Sequence, residues 1–168
     1  MKSLTLNLVA IFLLSFVIFS CSPEEDGVYF NDTVEVVNIS NVAYSSIESQ
    51  ILDLVNAHRS SIGLNTLTRL DIISGVADGH TNYMIEIGEV NHDNFSQRSQ
   101  NLMDNAGAKS VGENVAYGFN SAEGVVNGWL NSPTHKAIIE SPDYTHFGIS
   151  TDANQEQRNY FTQIFIKK

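Results

Sequence analysis

One carboxylate stands out by its surroundings. In Ser110 to Gly118, SVGENVAYG, Glu113 lies among small and apolar residues, where an acid needs a hydrogen-bond partner, a cation or open water. The chain has five histidines to weigh as partners. His135 falls in SPTHKAII, where Ser132 reads as a helix cap and Pro133 as the first helical residue. An imidazole at the third helical position feels the positive end of that helix. Imidazolium is disfavoured there, and the neutral ring that remains suits a metal or a proton. Ser132 with His135 three residues on also has the look of a nucleophile and its base. A capping hydroxyl followed by proline is badly placed to attack, however, and no glycine-flanked nucleophile elbow surrounds it. A carboxylate with neutral imidazoles around an open position would make a zinc-type site. The same groups would equally make a closed hydrogen-bonded network that binds nothing, and no His-x-x-x-His helix pair sharpens the metal reading.

The elements that must position these groups follow from periodicity. Ile47, Ile51, Leu54, Val55 and His58 fall at helical spacing behind a capping box of Ser45 and Glu48, and Gly63 marks the exit. A second helix is expected from Thr68, boxed by Asp71, to Gly88, with Ile73, Ala77, His80 and Met84 on one face. His80 on that stripe reads as a packed or rim histidine. A third helix, Ser96 to Ala106, groups Arg98, Leu102 and Ala106 and ends at Gly107. A fourth, Ser121 to Asn131, buries Val125, Val126 and Trp129, and the short SPTHKAII helix follows.

Glu113 to Tyr117, Phe147 to Thr151 and Tyr160 to Ile166 read as strands. Glu113 then begins a strand at the sheet rim, with Val115 and Tyr117 packed on the same side. His146 opens the second strand, and Asn114 braces Glu113 through its amide. Both alternate sets of the last strand are apolar, as when a strand is covered on both faces. The polar link TDANQEQRN offers no crossover helix and makes a hairpin. The expected fold is α/β, a three-layer α/β/α sandwich with a small antiparallel sheet between helices.

The N-terminus reads as an address. Lys2 precedes the apolar run Leu8 to Phe19, which is short for a transmembrane helix and right for an export signal. Cys21 is the only cysteine, stands behind the small Ser20, and resembles the lipidated cysteine of a bacterial lipoprotein box. Residues 1–20 are thus expected to be a lipoprotein-type signal, 21–41 an acidic tether beginning CSPEED, and 42–168 a single domain with no disulfide. The formal charge of −10 excludes a basic nucleic-acid footprint. Contact with a bilayer is expected through acylated Cys21, not through the anionic surface of the domain.

Seven fragments in register, LVNAHRSSIGLNTL, HTNYM, NHDNFSQR, GENVAYG, VVNGWLNSPTHKAII, THFGIS and YFTQIF, resemble the CAP superfamily (cysteine-rich secretory proteins, antigen 5, pathogenesis-related 1; the SCP domain), in its cysteine-poor bacterial branch. The resemblance implies an α/β/α sandwich with a central cleft carrying two histidines and two glutamates. NHD supplies His92, GENVA supplies Glu113 and SPTH supplies His135. The second acid is missing, because Asn131 or Ser132 stands in its place. The three side chains are expected to converge in one open cleft.

Two functions are compatible with that set. One is a surface-anchored module at a bacterial outer membrane or cell surface, binding a small lipid, peptide or cell-envelope ligand. The other is a metal-assisted hydrolase of peptide or cell-wall bonds, with His92, His135 and Glu113 holding one divalent ion such as zinc and Glu113 and His135 as its working groups. The missing acid shifts weight to the first.

Overall fold

The computed structural model describes residues 42–168. The expected signal, tether and lipidated Cys21 lie outside the described residues. Five helices and four strands run in the order α1 (Ser46–Ser61), β1 (Thr68–Arg69), α2 (Asp71–Ile87), α3 (Phe95–Ala106), β2 (Ser110–Tyr117), α4 (Ala122–Asn131), α5 (Pro133–Ile139), β3 (His146–Ala153) and β4 (Asn159–Lys167). The strands form one sheet in the order β1-β3-β4-β2.

The layers follow from the alternation of β4, the central strand beside β2. Phe161 and Phe165 face the layer of α1 and α4, where they join Ile51, Val55, Val125, Val126, Trp129 and Phe147. Ile164 and Ile166 face α2 and α3, against Ile73, Ala77, Leu102 and Ala106. Each fully buried aromatic or branched side chain contributes about 1.5–3 kcal/mol, so apolar groups on both faces bind the two helical layers to one sheet. Gly148 lets α2 close onto β3, since a Cβ there would lie 2.5 Å from the Ser74 nitrogen and 2.6 Å from the Ile73 carbonyl carbon.

Local signals set several boundaries as expected. Ser45 and Glu48 form the full capping box, and the second Glu48 oxygen accepts from the Thr151 N–H at 2.7 Å, which ties α1 to β3. Gly88 and Gly107 end α2 and α3 in the left-handed conformation, where glycine carries no Cβ penalty.

Three local expectations are corrected. Thr68 does not cap α2: Thr68 and Arg69 pair in parallel with His146 and Phe147, and the helix starts at Asp71 behind Leu70. The Leu70 N–H donates to Phe147 O, so sheet pairing claims the backbone that a longer helix would have used. The sheet is therefore mixed, not wholly antiparallel, although β3–β4 and β4–β2 are antiparallel. Ser132 occupies the cap position of α5, but its hydroxyl pairs with Thr134 Oγ1 at 3.2 Å and makes no capping bond.

Candidate functional site

Glu113 sits in β2 opposite Ile164, on the face that meets α2 and α3. Its side chain is only 1 % exposed, and three elements supply its partners. The Arg98 Nε–H of α3 donates to Oε2 at 2.7 Å, and Nη2 donates to Oε1 at 2.7 Å, a bidentate pair. His92, in the α2–α3 connection, donates from Nδ1 to Oε1 at 2.9 Å. His80 of α2 brings Nε2 to 3.9 Å from Oε1, while the same nitrogen donates to Asn91 O at 2.9 Å.

The electrostatics follow from this enclosure. Burial pushes the Glu113 carboxyl up, but the hydrogen bonds from His92 and Arg98 and the guanidinium charge outweigh it and hold the group below its ordinary value. Burial holds the His80 imidazole below its ordinary value, despite the Asn91 carbonyl and Glu113. Its Nδ1 is buried without a hydrogen-bond partner, as fits a neutral ring that donates through Nε2.

His92 is set differently. Its side chain is 51 % exposed. Because a carboxylate only accepts, Nδ1 carries the proton, and in the neutral ring Nε2 then presents a lone pair. A cavity of about 340 Å³ lies beside it, lined by His92, Phe95, Val111, Gly112, Glu113, Ile138 and Tyr144. Gly112 matters here, because a Cβ would run into Tyr144 Oη and approach Ile138 Cγ2 to 3.1 Å. The turn after α5 that carries Tyr144 is pinned from α1 by fully buried Arg59, which donates to Ile139 O at 2.6 Å, Ser141 O at 2.9 Å and Asn65 O at 2.8 Å.

His92 and Glu113 are hydrogen-bonded to each other, and both line this cavity. His135 is not in the cavity wall. It lies in α5, its carbonyl accepts from Asn114 Nδ2 at 3.2 Å, and burial, then the nearby His92, lower its pKa. Asn114 braces this region by also donating to Gln163 Oε1 at 3.1 Å. His80 is buried as its stripe implies, yet it faces Glu113, a contact that the stripe alone does not reveal. Trp129 is core, donating from Nε1 to Val115 O at 3.1 Å. Tyr117 is not core: it is 43 % exposed and leans on Tyr160 at 4.6 Å. Arg98 is the residue that sequence reasoning missed. Its signal was a lone basic residue on an otherwise apolar helix face with Leu102 and Ala106.

As arranged, Glu113 and His80 are not available to a divalent ion. Both oxygens of Glu113 are taken by a guanidinium, His80 Nε2 is spent on a carbonyl, and among the described residues no three His, Cys, Asp or Glu side chains form a metal-holding group. Also among the described residues, no helix is long and apolar enough to cross a membrane.

Residues 52–165 match the family model described as CAP, the cysteine-rich secretory protein family. The Bacillus subtilis membrane protein YlbC is 33 % identical over 150 residues, 84 % of this chain and 41 % of its own length. An extracellular protein of Bacillus anthracis containing an SCP domain superposes with a TM-score of 0.63 at 28 % identity, over 72 % of this chain and 40 % of that one. An outer surface protein of Borrelia burgdorferi shares the fold, with a TM-score of 0.66 at 24 % identity over 75 % of this chain and 96 % of its own. The chain therefore spans less than half the length of the two Bacillus proteins.

Proposed function

The chain belongs to the CAP family, and from that premise we propose that it is an exported, surface-anchored module that binds a small ligand in the His92 cleft. The anchor is the lipid carried by Cys21 behind the export signal, and the site of display is a bacterial outer membrane or cell surface. Relatives described as a membrane protein and as an extracellular protein support export.

The observation that carries the cleft reading is the His92 ring. Glu113 fixes its tautomer at Nδ1, which leaves Nε2 as an oriented acceptor beside a cavity whose side-chain walls include Phe95, Val111, Ile138 and Tyr144. That combination recognises a ligand with an apolar body and a hydrogen-bond donor. It favours binding over hydrolysis, because Arg98 holds the Glu113 carboxylate ionised and engaged, and the Ser132 hydroxyl is turned to Thr134.

A matched pair of probes tests it. With the full chain in phospholipid nanodiscs, 4-propylphenol should perturb the amide signals of Val111 and Gly112 and bind roughly five-fold tighter than 4-propylanisole, which lacks the donor, as one neutral hydrogen bond of about 1 kcal/mol requires. His92→Ala should abolish the difference. Equal affinities in the wild-type protein, or perturbations remote from these residues, would refute the reading.

A further inference from the structure

The floor of the cleft is main chain. β2 is the outer strand beside β4, and the Gly118 N–H donates to Asn159 O at 2.8 Å, directly opposite it in the antiparallel register. Even-numbered residues of β2 therefore spend their N–H and C=O groups on β4, and odd-numbered residues turn theirs outward. Val115 confirms the sense, because its carbonyl is capped by Trp129 Nε1 from α4. Among the described residues, no other element caps the main chain of Val111 or Glu113 in this way. Gly112, between them, lines the cavity, and a residue without a side chain can do so only through its backbone.

The cleft is thus a slot with a strand edge at its base, with Phe95 and His92 on one side and Ile138 and Tyr144 on the other. An alkyl chain can cover those walls but leaves the main-chain donors and acceptors unpaired, and the hydroxyls of a sugar ring are not spaced to the strand repeat at which those groups alternate. An extended peptide satisfies them and sends alternate side chains to the two walls.

We infer that the cleft binds an extended peptide, which adds to the free edge of β2 through the main-chain groups of Val111 and Glu113. This rests on the cleft reading above and names the chemical class of its ligand.

The test uses the full chain in nanodiscs and a pool of acetylated, amidated pentapeptides with valine at positions 1, 3 and 5 and polar residues between. The pool should slow hydrogen exchange at the Val111 and Glu113 amides at least ten-fold and leave Gly112, already paired to β4, unchanged. Two further pools carry N-methyl groups on positions 1, 3 and 5 or on positions 2 and 4, each blocking one edge of the peptide. One should lose the protection and the other keep it. Val111→Pro removes an outward N–H without touching the β4 ladder; it should weaken peptide binding at least ten-fold, whereas Val111→Ile, which keeps the N–H, should bind the pool as the wild-type protein does. Identical behaviour of the two methylated pools, or no protection from the parent pool at millimolar concentration, would overturn strand addition. If 4-propylphenol still binds in that case, the cleft reading stands; if neither probe binds, both fall.

Discussion

The Arg98 guanidinium and the Glu113 carboxylate face each other through two parallel bonds of 2.7 Å, across the junction between α3 and the β2 edge. This pair explains how an acid is tolerated in SVGENVAYG. The charge is neutralised inside the fold, and the carboxylate's remaining task is to orient His92.

The pair should therefore be costly to break from either side. Arg98→Met leaves a carboxylate with a 1 % exposed side chain without its main counter-charge and should destabilise the domain by about 3–5 kcal/mol in urea unfolding. Replacing both partners, Arg98→Met with Glu113→Leu, should restore much of that loss. A cost below about 1 kcal/mol for the single change would show that water reaches the pair.

Stability should fall with acid in two stages. His80 and His135 have folded pKa values below that of the unfolded ring, so from about pH 6.5 downward the unfolded chain takes up protons that the folded chain resists, and stability declines. Glu113 is shifted down; its contribution is complete above the unfolded carboxyl value of about 4.3 and is lost as pH falls through the folded value. Urea midpoints at pH 7.5, 5.5 and 3 read both stages, and His80→Gln should flatten the first. A midpoint rising between pH 7.5 and 5.5 would contradict the assignment.

Arg59 should matter as much to the cleft as to the core. Arg59→Met orphans the carbonyls of Asn65, Ile139 and Ser141 and should cost about 3–5 kcal/mol. Because those carbonyls hold the turn that carries Tyr144, the variant should also weaken 4-propylphenol binding under conditions where it remains folded. Unchanged affinity would separate the turn from the cleft wall.

Zinc gives an independent check on the donor set. Calorimetric titration at pH 7.5 should show no saturable site below millimolar zinc, since Arg98 occupies both Glu113 oxygens. A micromolar site abolished by both His135→Ala and Glu113→Gln would revive the metal-assisted hydrolase.

Much of the fold was legible because local chemistry marks it. Ser45 with Glu48, Gly88 and Gly107 fix helix ends through bonds made within a few residues, and the two apolar faces of β4 announce a covered strand. The two-residue β1 was not legible, because its pairing with His146 and Phe147 is decided by strands that lie far apart in sequence. At the site, Glu113 and His92 could be named from their surroundings and from the family resemblance. Arg98 could not be assigned to Glu113, since a bond across fifteen residues depends on how α3 packs on β2. His135 was named from the family resemblance; it does not line the cavity, yet it lies near enough to His92 to feel its charge.

The central claim is that Glu113 sets His92 as an acceptor at the cleft, and the His92 ring nitrogens report it directly. In a long-range proton–nitrogen correlation spectrum at pH 7.5, His92 should show a protonated Nδ1 and a bare Nε2, and the Nε2 resonance should move upfield when 4-propylphenol is added. A ring protonated at Nε2, with Nδ1 bare, or an Nε2 resonance indifferent to the phenol, would contradict the account.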